Sequence, residues 1–383
     1  MSTLPTPSAD ALAHSNRLRE LILQDVGMQG GWIPFSRYME LTLYAPGLGY
    51  YTAGARKFGA SGDFITAPEL SPLFGRSLAR QIADVMEQSA PQILELGAGS
   101  GKLALDILLE LEQMDRLPQR YAILEVSADL RHRQQQLLAA HAPHLADRVH
   151  WLDSLPDSIS GAVIANEVLD ALPVHLVCWT RDQILERGVA CDGDTFVWQM
   201  RTPIHKELLH AARQIDVPEG YLSEISLAAR GLVASLCDRL QQGVMLFLDY
   251  GFGAGEYYHP QRSSGTLMCH YRHHVHDDPF FLTGLQDITA HVDFSAVAES
   301  AIVNDAHLLG YTTQAHFLIN CGITDFLGDT SPENPLAYLP LSAQLQKLTS
   351  PAEMGELFKV IALGKGIDRV LCGFRSGDRS RNL

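Results

Sequence analysis

The 383-residue chain lacks a basic stripe: 29 Lys and Arg stand against 44 Asp and Glu, a formal net charge of −15. Nucleic-acid binders neutralise phosphates with clustered cations, so this balance speaks against a nucleic-acid partner. A C-x-x-C pair is also missing. The six cysteines sit at 178, 191, 237, 269, 321 and 372, and a disulfide framework would be unusual at this size, so reduced thiols are expected. The first residues, "MSTLPTPSADALAHSNRLRE", have no charged start followed by an apolar run, and no apolar stretch reaches the roughly 18–20 residues of a membrane helix. Those absences predict a cytoplasmic protein without stable membrane insertion. There is no internal repeat and no low-complexity tract. What remains is an ordinary globular composition, 46% hydrophobic and 19% charged, long enough for one large core with additions or for two domains.

The first ninety residues show little strand signal. Asp10 is a candidate cap for a helix carrying Leu12, Leu18, Leu21 and Ile22 on one side. Pro34–Leu43 reads as helix, "APGLGYY" breaks it, "GDFITAPELSPLFG" is turn-like, and Leu73–Gln88 is helical again. From Ile93 strands and helices alternate: strand Ile93–Leu96, helix Lys102–Leu111, strand Tyr121–Val126, helix Ala128–Ala140, then strands Val149–Leu152 and Ala162–Asn166. This is the pattern of parallel βαβ units. An antiparallel insertion follows at about 174–220, with turn signals at Arg187–Gly188 and Asp192–Gly193. The rhythm resumes with helix Ser223–Leu240 and strand Val244–Leu248. After a second insertion at about 251–293 come helix Phe294–Leu309, strand Tyr311–Leu318, helix Leu341–Leu348 and strand Leu357–Leu363. The expected domains are thus a helical cap over 1–90 and an α/β core over 91–383 carrying both insertions.

The most informative stretch is "ILELGAGSGK". Its glycines, Gly97, Gly99 and Gly101, are spaced G-x-G-x-G, whereas a dinucleotide fingerprint would put its third glycine at Lys102. The turn still offers bare backbone to a ligand. Amides at the following helix start can bind a carboxylate, while Glu95 can pair with an ammonium; a pyrophosphate would meet Glu95 as a like charge. Glu125 ends the next strand, where an acid can accept both ribose hydroxyls. Asp153, after the third strand, could meet an adenine amino group. An amino-acid end together with a ribose describes S-adenosyl-L-methionine. The alternative is that the glycines serve only a tight strand–helix turn.

The fourth strand ends in "VIANEVLDALPVH". Asn166, Glu167 and Asp170 follow the carboxyl end of a parallel strand, where open α/β sheets bind ligands. A helical turn from Glu167 would set Asp170 on the same side. Two carboxylates there could hold a cationic acceptor such as a guanidinium. Alternatively Asn166 caps a helix whose dipole favours the acids. His270, His273, His274 and His276 lie beside Asp277 and Asp278, a density that suggests metal; yet methyl transfer from a sulfonium needs none, and no metal is expected. His291 could accept a proton near the acceptor, with Asp293 capping the next helix.

Read in order, "GDFITAPELSPLFG", "ILELGAGSGKLALDIL", "ANEVLDALPVH", "FLDYGF", "HVHDDPF", "DITAHVDFSAV" and "MGELFKVIAL" resemble the MidA family of S-adenosyl-L-methionine-dependent methyltransferases, from about Gly30 to Leu363. The resemblance implies a class I, Rossmann-like α/β methyltransferase fold of about seven strands. For the mitochondrial members it implies symmetric dimethylation of an arginine on a complex I subunit, so a protein substrate is expected. The family's glycine motif carries over onto Gly97, Gly99 and Gly101, and its motif after the fourth strand onto Asn166, Glu167 and Asp170. In this reading "GDFITAPE", with Asp63, Thr66 and Glu69, closes over the cofactor. A small-molecule methyltransferase and a non-catalytic assembly factor that keeps the fold remain as rivals. The oligomeric state stays open.

Overall fold

The computed structural model describes residues 4–53, 66–331 and 333–383. The chain divides into two compact units. One comprises Ile65–Leu169, Leu232–Gly253 and Val292–Leu383, and the other Met1–Phe64, Asp170–Gly231 and Ala254–His291.

The first unit is built on the strands β1 (Gln92–Leu96), β2 (Arg120–Leu124), β3 (Val149–Leu152), β4 (Ile159–Asn166), β5 (Leu240–Phe252), β6 (His307–Thr313) and β7 (Phe358–Lys365). Their order in the sheet is β6-β7-β5-β4-β1-β2-β3, with the short Val292–Asp293 segment added beside β5. β7 runs antiparallel to both of its neighbours, and the pairs from β5 through β3 are parallel. Strands covered on both faces need apolar residues on both, so β4 and β7 are buried along nearly their whole length rather than at alternate positions. The strand order reverses between β1 and β4, the kind of switch point at which open α/β sheets bind ligands beyond the carboxyl ends of their strands.

Three helices matter for the site: α1 (Pro72–Gln88), α2 (Lys102–Gln113) and α3 (Ala128–His141). α1 starts at a proline, and the Ser71 hydroxyl accepts from the Leu73 N–H, the usual chemistry of a helix start. Its buried face includes Phe74, Leu78, Ile82 and Val85; Arg76 reaches Glu110 of α2 at 2.7 Å. These residues share one apolar core with β1, β4, β5 and β7. That packing puts α1 in the sheet-bearing unit, so the division in the chain falls near residue 65 rather than near the expected 90.

The second unit opens with helix Ala9–Met28, capped by Ser8 and not by Asp10, which sits in its first turn. Either side chain can accept a helix-start N–H, and here it is Ser8 Oγ that accepts the Ala11 N–H at 3.2 Å. Strand Trp32–Pro34, unforeseen in a stretch expected to be helical, pairs antiparallel with Ile184–Asp192. Ile184–Asp192 also pairs with Thr195–Arg201 and His175–Trp179, and Tyr221–Ile225 completes the sheet beside His175–Trp179. Two expectations fail here for tertiary reasons. Gly188 is not in a turn: a Cβ there would lie 2.3 Å from the Ile33 carbonyl oxygen and 2.4 Å from the Trp32 ring, so the glycine admits a neighbouring strand. The helix expected from Ser223 begins only at Leu227, because the preceding "YLSEI" is drawn into the sheet. A smaller sheet joins His274–His276, Met268–Tyr271 and Asp287–Thr289. Similarly, helix Phe294–Ile302 is shorter than expected, β6 begins at His307, and a helix from Gln314, capped by Thr313, takes the rest of the expected strand.

Among the described residues no helix is long and apolar enough to cross a membrane.

Candidate active site

β1 delivers the chain into the glycine turn. Gly97, Gly99 and Gly101 have φ of +62°, +55° and +85°, a region that side chains disfavour. Gly101 is the residue before α2 and lends that helix start no side-chain cap. A Cβ on Gly101 would come within 3.0 Å of Gln134 Cγ, so glycine is required twice, for its dihedral and for the approach of α3.

Glu95, at 2% exposure, accepts the Tyr121 hydroxyl at 2.8 Å. Burial pushes its carboxyl up to about 7; the Tyr121 hydrogen bond works against that, and nearby Glu125 adds to it. Glu125, following β2, is buried too, with Oε1 accepting the Ser127 N–H and Oε2 the Gln134 side-chain amide, both at 3.0 Å. Its pKa is raised by burial against those hydrogen bonds. The Val126 N–H also bonds to this carboxylate; with about four lone-pair directions, it keeps capacity to accept a hydroxyl. That acceptor fits a ribose hydroxyl, and the bare turn beside Glu95 fits a zwitterion, as S-adenosyl-L-methionine requires.

Asp153 has a 90% exposed side chain at 2.7 Å from Arg131. Arg131 also takes the Leu152 and Glu125 carbonyls, which ties the ends of β2 and β3 together. Glu69 accepts a short hydrogen bond from Ser100 in the glycine turn. Thr66 precedes the short helix Ala67–Leu70 without capping it through its side chain. Asp63 lies outside the described residues.

Beyond β4 the expected helical turn is absent. Glu167 has φ +51°. Its N–H continues the ladder to the Leu248 carbonyl at 2.9 Å, and its Oε1 accepts from Asn166 Nδ2 at 3.2 Å. The buried Asp249 of β5 explains the geometry: one oxygen takes the Leu169 N–H and the other the Tyr250 N–H, each at 2.9 Å. Asn166 is therefore no helix cap, and Glu167 holds a backbone conformation that L-residues adopt at a cost of order 1–3 kcal/mol. Asp170 belongs to the other unit, where its carbonyl accepts the Ala290 N–H at 3.0 Å. That bond brings Asp170 and His291 onto neighbouring backbone, and the His291 N–H goes to the Thr266 hydroxyl at 3.1 Å.

The histidine run forms a hairpin. Tyr271 pairs with His274, and Arg272 and His273 turn the corner with φ of +46° and +63°. Among the described residues no group of three or more His, Cys, Asp or Glu is arranged to hold a metal.

Sequence reasoning missed Tyr121, Gln134, Trp151 and Asp249. Gln134 left one trace: it stands midway in the i, i+4, i+8 stripe Leu130–Gln134–Leu138, the three buried positions of α3, where an apolar residue would be expected.

A sheet of order 6-7-5-4-1-2-3 with an antiparallel β7, ending in a glycine turn flanked by strand-end acids, defines a class I methyltransferase fold. The family described as "Putative S-adenosyl-L-methionine-dependent methyltransferase" matches residues 77–312. A Burkholderia thailandensis protein crystallised bound to S-adenosyl-homocysteine is 50% identical, with a TM-score of 0.96 and full coverage of both chains. "Protein arginine methyltransferase NDUFAF7, mitochondrial" is 30% identical in Danio rerio, over 87% of this chain and 83% of that protein. The human protein of that name is also 30% identical, over 87% and 80%. This chain belongs to that S-adenosyl-L-methionine-dependent methyltransferase family, the one its motifs resemble, and is an enzyme that uses S-adenosyl-L-methionine.

Proposed function

We propose that the enzyme methylates an arginine side chain of a protein, with Glu167 as the carboxylate that orients and charge-compensates the guanidinium. The observation that carries this reading is the strained, hydrogen-bonded position of Glu167 at the carboxyl end of β4. The arginine methyltransferases among its relatives support the choice of acceptor. Bound S-adenosyl-L-methionine supplies a methyl group on a sulfonium. Gly97, Gly99 and Gly101 leave room for its amino-acid end, Glu95 pairs with its ammonium, and Glu125 accepts its ribose hydroxyls. Asn166, Asp153 and the Thr66–Glu69 segment, with Asp63, complete the cofactor contacts in this proposal. Arginine is charged at physiological pH and a poor nucleophile. A carboxylate beside it lowers the cost of holding that charge against a sulfonium, and catalysis rests on positioning. Asp170 is proposed as a second acceptor carboxylate and His291 as the proton acceptor. The proton leaves the nitrogen as the N–C bond forms and the C–S bond breaks.

The proposed setting is the cytoplasm. The acceptor is a protein partner, a complex I subunit being the candidate that the family resemblance suggests. The test is radiolabelled S-adenosyl-L-methionine added to a lysate from cells lacking the protein, with and without purified enzyme. Label on an arginine of a protein band supports the proposal. Label in the small-molecule fraction favours a metabolite acceptor, and no enzyme-dependent label rejects transfer.

A further inference from the structure

Gln134 is 0% exposed, and an uncharged amide in that position needs partners for its donors. It has them. Trp151 Nε1 donates to Gln134 Oε1 at 2.8 Å, while Gln134 Nε2 donates to the Gly99 carbonyl at 2.9 Å and to Glu125 Oε2 at 3.0 Å. The indole N–H can only donate, so it decides which end of the amide is oxygen and leaves the NH₂ facing two acceptors. One side chain of α3 therefore joins β3, the glycine turn after β1 and the carboxylate after β2. α3 packs so closely there that a Cβ on Gly101 would crowd Gln134.

We propose that Gln134 is a positioning residue for the cofactor: oriented by Trp151, it holds the Glu125 carboxylate and the Gly99 backbone in fixed register, so that Glu125 presents its remaining acceptor capacity to the ribose hydroxyls. The proposal rests on the reading of Glu125 as the ribose acceptor. Both amide protons are spent on this, and neither bond serves the α3 helix itself. A core-filling role would be met as well by methionine, which has similar length and volume. Methionine would leave the Trp151 N–H, the Gly99 carbonyl and the Glu125 carboxylate without this partner, and the ligand comparison below separates the last from the other two. Gln134 also lowers the Glu125 pKa against the effect of burial, which favours the ionised, accepting form.

The experiment compares S-adenosylhomocysteine with its 2′-deoxy analogue by calorimetry on the full-length protein. A site built around a hydroxyl rejects the analogue lacking it, and loss of a hydrogen bond to a charged group is expected to cost about 10- to 100-fold in affinity. The wild type should show that preference. Gln134→Met should lose roughly tenfold in S-adenosylhomocysteine affinity and shrink the preference to within about threefold, since one oriented donor to the carboxylate is gone. Trp151→Phe, which frees the amide to rotate, should move the preference the same way by less, and serves if Gln134→Met fails to fold. Equal loss for both ligands, or an unchanged preference in folded variants, overturns the proposal and marks Gln134 as structural. Glu125→Gln separates the two levels. If it leaves the preference intact, the ribose reading falls and the proposal with it; if it abolishes the preference while Gln134→Met does not, only the role of Gln134 falls.

Discussion

Glu95→Gln tests the buried acid directly, because the substitution keeps an oxygen for the Tyr121 hydroxyl and removes the charge. Burial raises the Glu95 carboxyl to about 7 from 4.5. A raised acid means that the native state keeps a proton the unfolded chain has released. That contribution is complete below about 4.5 and is lost as pH rises towards 7. At 1.36 kcal/mol per pH unit, a carboxyl at about 7 rather than 4.5 makes cofactor-free wild type, through Glu95 alone, up to about 3 kcal/mol less stable at pH 8 than at pH 4.5. The glutamine variant has no such slope. Denaturant melts of ligand-free protein at pH 5 and 8 should therefore show the stability difference, variant minus wild type, growing by about 2–3 kcal/mol. Taking the difference cancels the groups titrating in that window that do not sense the Glu95 charge; Glu125, which does, is the exception. Ligand should reverse the ranking: S-adenosylhomocysteine has an ammonium to pair with Glu95, so its affinity for wild type should rise with pH up to about 7, approaching tenfold per unit on the acid side, and the variant should bind weakly and without that rise. A stability difference identical at both pH values would refute the reasoning, since the carboxylate would then be ionised at no cost.

Glu167→Gln should lower single-turnover transfer by roughly two orders of magnitude while leaving cofactor affinity within a few-fold, the signature of a group acting on the acceptor; full-rate transfer from a less stable protein would reject its catalytic role. Gly99→Val should abolish S-adenosylhomocysteine binding by calorimetry, because a branched side chain meets a φ of +55° in the ligand-facing turn. Replacing Arg272–His273 with Asn-Gly should stabilise the hairpin by about 1–2 kcal/mol in a denaturant melt, since both corner residues sit at positive φ. Elemental analysis of untagged protein should find no stoichiometric zinc or iron, and a metal lost on substituting His273 and His276 would contradict that.

The parallel sheet was legible because strands covered on both faces must carry apolar runs, and β1, β2 and β4 announce themselves that way. Glu95 and Glu125 were flagged by the same reading, since one sits near the carboxyl end of such a strand, just before the glycine turn, and the other follows the next strand. Trp32–Pro34 was not legible: three residues ending in proline have no periodicity, and the strand exists only because Ile184–Asp192 lies beside it. "YLSEI" was misread for the same reason, its β character coming from a partner some forty residues upstream. Gln134 and Asp249 act through bonds to Gly99, Glu125 and Leu169, which are remote in sequence or on other elements. Their residue types alone say nothing of those partners. The positive φ of Glu167 could not be read from an Asn-Glu-Val sequence that suggests a helix start.

The placement of β7 has a consequence for synthesis. It lies inside the sheet, between β5 and β6, yet its residues, Phe358–Lys365, are translated after both of those neighbours. At roughly 5–20 residues per second, on the order of 5–20 s separate β5 from β7 on the ribosome. Throughout that interval β5 offers a long apolar edge, and β6, once made, has no strand to join. A nascent chain in this state is open to capture by chaperones, and a stop before Phe358 would leave the sheet split in two rather than merely trimmed.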